Sequence, residues 1–195
     1  YEDRWGGEMN WNKSYRGSDQ VYGESIYTNR LELIGNYQLP IHEKIIFSGS
    51  YNYHHQDSWY GKTQYLGIQH IGFGQMVWHK SFKKQEWLTG LALRYNVYDD
   101  NSPATYNPLE GVNIPSRTLL PGVFVQDEIR FSDRHTILAG LRYDHHPVHG
   151  NIFTPRFAWK WKTGREGVFR LNAGTGFRVV NLFTEEHAAL TGART

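Results

Sequence analysis

Apolar and polar residues alternate with a period of two along almost the whole chain, and this pattern restricts the fold more than any other feature. The stretch 153–162 shows it most clearly, with Phe153, Pro155, Phe157, Trp159 and Trp161 set against Thr154, Arg156, Ala158, Lys160 and Lys162. Successive side chains of a β-strand point to opposite faces, so each such stretch predicts a strand with one apolar and one polar face. We therefore predict an all-β protein.

The alternation predicts about nine strands. They lie near 3–10, 25–37, 43–54, 64–81, 86–98, 117–131, 135–146, 152–162 and 168–178. Most are longer than the usual five or six residues of strands in soluble proteins, and they match the roughly 9–11 residues that a tilted strand needs to cross a bilayer. The strand lengths favour an antiparallel, up-and-down transmembrane β-barrel segment.

The predicted connections alternate between short and long. Short ones lie at 39–42, 83–85, 132–134 and 163–167; longer ones lie at 11–24, 55–63, 99–116 and from 179 onward, with 147–151 the one short member of that second set. In an up-and-down barrel this alternation puts short turns at one rim and long loops at the other, as in outer-membrane barrels. A soluble β-sandwich is the alternative fold, but it has no reason to sort its loops in this way.

Composition agrees with a membrane barrel once the polar lumen face is taken into account. Mean hydropathy is −0.63 and the sequence has no run of about 18 apolar residues, so we predict no membrane-spanning helix. Barrel strands dilute their hydropathy with lumen-facing residues, whereas aromatic residues reach 15% and cluster near predicted strand ends. A net charge of +2 does not indicate nucleic-acid binding, and the absence of cysteine excludes disulfides.

The strand count and the start of the chain bear on completeness. Nine is odd, whereas bacterial single-chain barrels have an even number of strands, and an unclosed sheet in lipid would expose unsatisfied backbone groups. The first residues do not form a signal peptide. We therefore expect an internal segment of a larger barrel, with residues 1–195 forming part of one barrel domain.

Four short motifs in the second half of the chain carry a family resemblance. In order, they are the strand 123–128 (V-F-V-Q-D-E), the strand 138–144 (L-A-G-L-R-Y-D), Gly150 followed by 153–156 (F-T-P-R), and 174–178 (G-T-G-F-R) followed by Leu182 and Phe183. Their order and spacing over 117–186 resemble the barrel domain of TonB-dependent outer-membrane receptors, most like those of Bacteroidetes. The sequence departs from that pattern at Val180, where the family usually has proline.

This resemblance implies a barrel of about 22 strands with a plugged lumen in the bacterial outer membrane. Such receptors import a scarce ligand (an iron chelate, haem, cobalamin, a metal or another nutrient) with energy supplied by TonB. The implied partners are outer-membrane lipid, the TonB complex and the nutrient ligand, with no nucleic acid and no resident cofactor. We expect the plug domain and the TonB-contacting segment to lie outside residues 1–195.

Two histidine clusters are candidate ligand contacts at the outer rim. They comprise His54, His55 and Asp57, and then Asp144, His145, His146 and His149. Imidazole with carboxylate suits copper, zinc, nickel or an iron complex. The alternative is that these residues are solvated strand tips, and adjacent histidines on a strand point to opposite faces and cannot easily chelate one ion.

Charged residues on the predicted lumen face are candidate plug contacts or a route for an anionic ligand. They are Arg30, Glu32, Arg94, Glu128, Arg142, Arg156, Arg170 and Arg178. Burying them unpaired would cost free energy, so some partner must fill the lumen. The sequence contains no G-x-S-x-G, H-E-x-x-H or phosphate-loop motif, and we predict that the protein is not an enzyme. A passive porin-like channel and an enzyme acting at the rim through Asp144 and His145 are the alternative functions.

Overall fold

The computed structural model describes residues 1–164 and 166–178, and β-strands dominate this part of the chain. The elements are β1 (Glu2–Gly7), a 3-10 helix (Lys13–Tyr15), β2 (Gly23–Gln38), β3 (Lys44–Tyr60), β4 (Thr63–Ser81), β5 (Gln85–Asp100), β6 (Tyr106–Asn107), β7 (Val112–Asn113), β8 (Ser116–Arg130), β9 (His135–His146), β10 (Gly150–Lys162) and β11 (Val168–Gly174). No helix in the described ranges is long and apolar enough to cross a membrane.

Within the described residues, nine strands form one antiparallel sheet in the order β1-β2-β3-β4-β5-β8-β9-β10-β11. Each long strand pairs with the long strands before and after it, which is the up-and-down topology that the alternation predicts. The remaining two strands, β6 and β7, form a small hairpin inside the segment that joins β5 to β8. The predicted fold class is confirmed.

The prediction of a long loop at 55–63 is wrong. β3 continues to Tyr60 and β4 begins at Thr63, so the connection consists only of Gly61 and Lys62. Gly61 has a φ of +58°, a left-handed conformation that glycine adopts without the steric cost of a side chain. The polar residues before Gly61 therefore form the outer part of the long β3–β4 hairpin, which we call the tall hairpin. The segment 99–116, predicted as a long connection, contains the β6–β7 hairpin.

The strand register places the alternating apolar residues of the predicted strands on one face of the sheet. Cross-strand pairing places Leu33 beside Tyr51, Leu91 beside Met76, and Leu171 beside Trp159. Leu33, Leu91 and Leu171 are 57%, 53% and 48% exposed, so no described part of the protein covers the middle of this face. An exposed, continuous apolar face of this kind is expected to meet lipid. We call it the apolar face and the opposite side the polar face.

The connections define two ends of the sheet. At one end lie 39–43, 82–84, 131–134 and 163–167, which we call the short-turn end; at the other lie 8–22, 61–62, 101–115 and 147–149, which we call the long-loop end. Among the described connections at that second end, only 8–22 and 101–115 are long, because β3 and β4 extend through the predicted loop 55–63.

A pair of neighbouring substitutions tests the assignment of the faces. Leu33→Arg places a charge on the apolar face and should lower the free energy of unfolding by about 2–4 kcal/mol if that face contacts the bilayer interior. Ile34→Arg, one residue along on the polar face and 79% exposed, should cost much less. Urea unfolding of the parent protein refolded into lipid vesicles measures both values. Equal costs for the two variants would contradict the assignment.

Candidate functional site

The polar face carries a concave surface of about 720 Å³ that spans the sheet from β3 to the residues just past β11. Its wall combines arginine with apolar and hydroxyl side chains. The lining includes Ser50, Phe73, Arg94, Leu120, Arg142, Thr154, Phe177 and Arg178. Three of the arginines predicted for the lumen, at positions 94, 142 and 178, are thus brought to one surface, although the first and the last of them are 84 positions apart in the sequence.

Arg142 and Asp144 form a bidentate ion pair on the polar face. Arg142 Nε and Nη2 donate to the two carboxylate oxygens of Asp144 at 2.7 and 2.6 Å, and Asp144 is fully buried. The pair fits because Gly122 lies opposite: a Cβ built there would be 2.3 Å from Asp144 Oδ1. Asp144 therefore faces the polar side, where it is buried and held by Arg142.

Two further predicted carboxylates lie on the polar face. Glu32 accepts hydrogen bonds from Arg30, with Nε at 3.0 Å, and from Asn52 Nδ2 at 2.8 Å. Glu128 on β8 lies directly opposite Glu86 on β5. Like charges at directly opposed positions are unfavourable, so Glu128 lies where a cation would be stabilised.

The remaining predicted arginines leave positive charge on the polar face. Within the described residues, Arg94, Arg156 and Arg170 form no ion pair. Arg156 lines a smaller hollow of about 340 Å³ beside the main surface, and Arg170 lies directly opposite Lys160. The wall formed by β5 and β8 to β11 is therefore cationic, and it suits an anionic ligand or a protein segment rich in carboxylates.

The first histidine cluster does not converge. His54 lies on the polar face opposite Arg30, whereas His55 lies on the other face opposite Asn29. Asp57 shares the face of His55 and is engaged by Arg16, whose Nη2 lies 2.9 Å from its Oδ2. Adjacent strand positions thus send the two imidazoles to opposite sides of the sheet, as the strand geometry predicts.

The second histidine cluster is organised by a tight turn. His146 Nδ1 accepts hydrogen bonds from the backbone N–H groups of Val148 (3.1 Å) and His149 (3.2 Å), and the rings of His146 and His149 are 4.6 Å apart. Burial, together with the nearby His149 and His145, lowers the pKa of His146 from its ordinary value of 6.5. His145 Nδ1 contacts Asn151 Oδ1 at 2.9 Å on the other face. In the described ranges no group of three or more potential ligands is placed to hold a metal ion. Contact with a metal chelate, which brings ligands of its own, stays a prediction.

The sequence did not reveal that Asp100 organises the long loop 101–115. Asp100 accepts hydrogen bonds from Tyr98 Oη (2.6 Å), Ser102 Oγ (2.8 Å) and Thr105 Oγ1 (2.7 Å), and Tyr98 in turn contacts the buried Tyr65. Asp100 and both tyrosines lie on the polar face, so the loop is tied to that side of the sheet. The signal in the sequence is an aspartate followed by serine at the second position, which favours an Asx turn.

Arg16 holds the other long loop, 8–22, against the apolar face of the sheet. The guanidinium of Arg16 lies 4.3 Å from the ring centre of Tyr27, and its Nε donates to Ser25 Oγ at 2.9 Å. Trp11 in the same loop is buried and its ring centre lies 5.3 Å from that of Trp5. Ser25, Tyr27 and Trp5 share one face, so loop 8–22 folds over the outside of the sheet while loop 101–115 folds over the polar side.

The Arg142–Asp144 pair predicts an intolerant glycine. Gly122→Ala should displace the carboxylate or break the ion pair, at a cost of about 1–3 kcal/mol in the free energy of unfolding. The matched control is Gly72→Ala on the apolar face, where the added methyl group would meet no atom within 4 Å. Chemical denaturation of the parent protein in detergent measures both. A Gly122→Ala variant as stable as Gly72→Ala would contradict the proposed packing.

The turn at 146–149 should weaken in acid. Only the neutral imidazole of His146 can accept the two backbone hydrogen bonds, and its pKa is lower in the folded turn than the ordinary 6.5. As the pH falls, His146 therefore takes up a proton in the unfolded turn before it does so in the folded turn. The stability that these hydrogen bonds give the turn is complete above the ordinary pKa of 6.5 and is lost as the pH falls through the lower pKa of the folded turn.

Hydrogen exchange at the amides of Val148 and His149, compared between about pH 7.5 and about pH 5.5 after correction for intrinsic rates, measures this loss. His146→Asn keeps an acceptor near the position of Nδ1 but does not titrate, so protection should become independent of pH. Retention of the pH dependence in that variant would refute the role of His146.

The chain matches one protein family along nearly its whole length. The family model "TonB dependent receptor-like, beta-barrel" matches residues 1–185. Among solved structures, the siderophore receptor PirA from Pseudomonas aeruginosa is similar, with a TM-score of 0.60 and 15% sequence identity. The similarity covers 83% of this chain and 28% of that receptor, so the chain spans little more than a quarter of the receptor's length. No curated protein matches the sequence.

At 15% identity the structural likeness shows the fold alone, but the family match is independent of it. The antiparallel up-and-down sheet, its apolar face and its cationic polar face are the features of a barrel wall with lipid on one side and a polar lumen on the other. The chain belongs to the TonB-dependent receptor-like β-barrel family.

Proposed function

We propose that this chain is part of the barrel wall of a bacterial outer-membrane receptor that captures a scarce nutrient and imports it with energy supplied by TonB. The observation that carries the proposal is the cationic lumen wall, in which Arg94, Arg156 and Arg170 have no ion-pair partner among the described residues. Family membership gives this wall its context, since receptors of this kind hold a plug domain in the lumen.

The lumen charges support a plugged barrel more than an open pore. Arginine side chains in a confined lumen are stabilised by carboxylates or by hydrogen-bond acceptors on a facing surface. A plug that presents acidic groups to the wall formed by β8 to β11, and a cation to Glu128, would satisfy these groups. We place the plug and the TonB-contacting segment outside residues 1–195 and expect them in the same polypeptide.

The long-loop end supports ligand capture. Loop 101–115 is tied to the lumen side by Asp100, and it exposes apolar side chains, with Leu109 95% and Val112 52% exposed. A loop held in this way offers a preformed contact surface and therefore lowers the entropic cost of binding. The ligand is an iron chelate, haem, cobalamin, a metal or another nutrient; the structurally similar PirA is a siderophore receptor.

The alternative of an enzyme acting at the rim receives less support. Its proposed acid, Asp144, is fully buried and forms a bidentate ion pair with Arg142 on the lumen side. The neighbouring His145 lies on the opposite face. The two groups therefore do not face a common substrate position, and general acid–base chemistry requires that they do.

Ligand binding by the full-length parent receptor, purified in detergent, tests the proposal. The receptor is titrated with ferric siderophores, haem, cobalamin and divalent metals, and we expect saturable, sub-micromolar binding of one class. For a metal or a metal chelate, substitution of His54, His55, His145 and His146 by alanine tests the histidine contacts. No binding across the panel, combined with unsaturable conductance in planar bilayers, would overturn the receptor and favour a passive channel.

The role of loop 101–115 has its own matched pair of variants. Asp100→Ala removes the acceptor that holds Ser102 and Thr105, and it should weaken ligand binding about tenfold by loosening the loop. Asp99→Ala removes the adjacent carboxylate, which lies on the opposite face, and should leave affinity unchanged. Equal affinity in the two variants would show that the loop does not contact the ligand.

A further inference from the structure

The short-turn end carries an amphipathic patch that the proposed transport function does not use. It consists of Phe82, Lys83, Lys84, Phe131 and Arg134, which we call the short-turn patch. Two turns that are separate in sequence form it. The N–H of Arg130 donates to Lys84 O at 2.8 Å, so the turns lie side by side along the rim.

The apolar part of the patch continues the lipid-facing surface. Phe82 and Phe131 are 53% and 60% exposed, and the ring of Phe82 packs edge-on against Trp87 at 6.3 Å. Further along the same rim, His135 stacks on Trp159 and Trp161, with centroid distances of 5.8 Å. Aromatic side chains at this level mark the boundary between the bilayer interior and the headgroups.

The cations of the patch have no partner in the described part of the chain. Lys83, Lys84 and Arg134 form no ion pair there. On neighbouring strands, Glu86 accepts from Ser81 at 2.7 Å and contacts His79 at 2.8 Å, and Glu43 pairs with Lys80. In the described ranges, Asp127 and Glu128 of β8 form no ion pair with these cations either, and Asp127 Oδ1 has no hydrogen-bond partner. Asp133 lies in the second turn itself, and the three cations outnumber it.

The opposite rim provides an internal comparison. At the long-loop end, Lys13 pairs with Asp3, Arg16 with Asp57, and Lys62 with Asp19. Those cations have partners within the protein, whereas the cations of the short-turn patch do not. Cations left unpaired beside exposed phenyl rings, at the edge of a lipid-facing surface, fit an anionic group that the membrane itself supplies.

We propose that the short-turn patch binds the phosphate headgroups of anionic glycerophospholipids in the adjoining leaflet. The phenyl rings of Phe82 and Phe131 lie beside the ester-linked ends of the acyl chains, next to the headgroups, and the three cations contact the phosphates around them. The continuity of the patch with the lipid-facing surface selects a phospholipid over a soluble anion. This binding is independent of the identity of the imported nutrient.

Lipid titration of the full-length receptor in detergent tests the site. Dioleoylphosphatidylglycerol and dioleoylphosphatidylcholine are added separately, and bound lipids are counted by native mass spectrometry. We expect preferential retention of phosphatidylglycerol. The combined substitutions Lys83→Gln, Lys84→Gln and Arg134→Gln should reduce that preference about tenfold without changing phosphatidylcholine binding.

The control removes the same number of charges from the other rim, through the changes Arg4→Gln, Lys13→Gln and Lys62→Gln. It should keep the preference for phosphatidylglycerol. An unchanged preference in the first variant, or an equal loss in both, would overturn the proposal. Retained heat-dependent mobility on gels shows that each variant forms a closed barrel.

A measurement on the unmodified receptor covers the case in which the first variant fails to fold. At about 1 M salt the screening length falls to roughly 3 Å, so a preference based on phosphate contacts must shrink. The double variant Phe82→Ser and Phe131→Ser should weaken the binding of both lipids to the same extent, because it removes the apolar contact and leaves the cations in place. A preference that persists in high salt would refute the assignment of phosphate contacts to this patch.

Discussion

The antiparallel hydrogen-bond ladder is the constraint on which the rest of this structure depends. Each long strand satisfies its backbone groups only through its neighbours, because lipid offers no hydrogen-bond partner to an exposed N–H or C=O. The ladder also fixes the register, and a shift of one residue would exchange every lipid-facing side chain for a lumen-facing one. Leu91 and Ala92 are adjacent in sequence, yet the alternation of the strand places Leu91 on the apolar face and Ala92 on the polar face.

Register also turns scattered arginines into one surface. The lumen wall gathers Arg94, Arg142 and Arg178 from three distant parts of the chain, and Arg142 pairs there with the carboxylate of Asp144. That pair depends on Gly122 in the next strand, where a side chain would occupy the position of the carboxylate. The charge available to a plug or ligand is thus set by cross-strand neighbours, and a change on one strand alters the electrostatics of the next.

Alternation in the sequence predicted the strands, their faces and the up-and-down order, because these follow from local parity. The prediction failed where a strand continues into polar residues. The residues that end at Tyr60 resemble a loop in sequence, yet β3 includes them and ends only at the turn at Gly61. The prediction also missed Asp100, since the hydrogen bonds from Tyr98 and Thr105 depend on how a loop folds back. The two histidine clusters looked alike in sequence, but only the turn that ends at His149 brings two of its imidazoles together.

The distribution of buried side chains explains why the long-loop end has an organised structure of its own. Among the described residues, the buried apolar side chains are Trp11, Tyr60, Tyr65, Ala92, Tyr98 and Leu120. Four of them belong to the tall hairpin, to loop 8–22 or to the anchor of loop 101–115, all beyond the lipid-facing surface. In the proposed membrane barrel, lipid supplies the apolar surroundings along the strands, so no core is needed there. Where the same strands emerge into water, side chains must bury one another, and this requirement produces the ordered loops that a ligand would meet first.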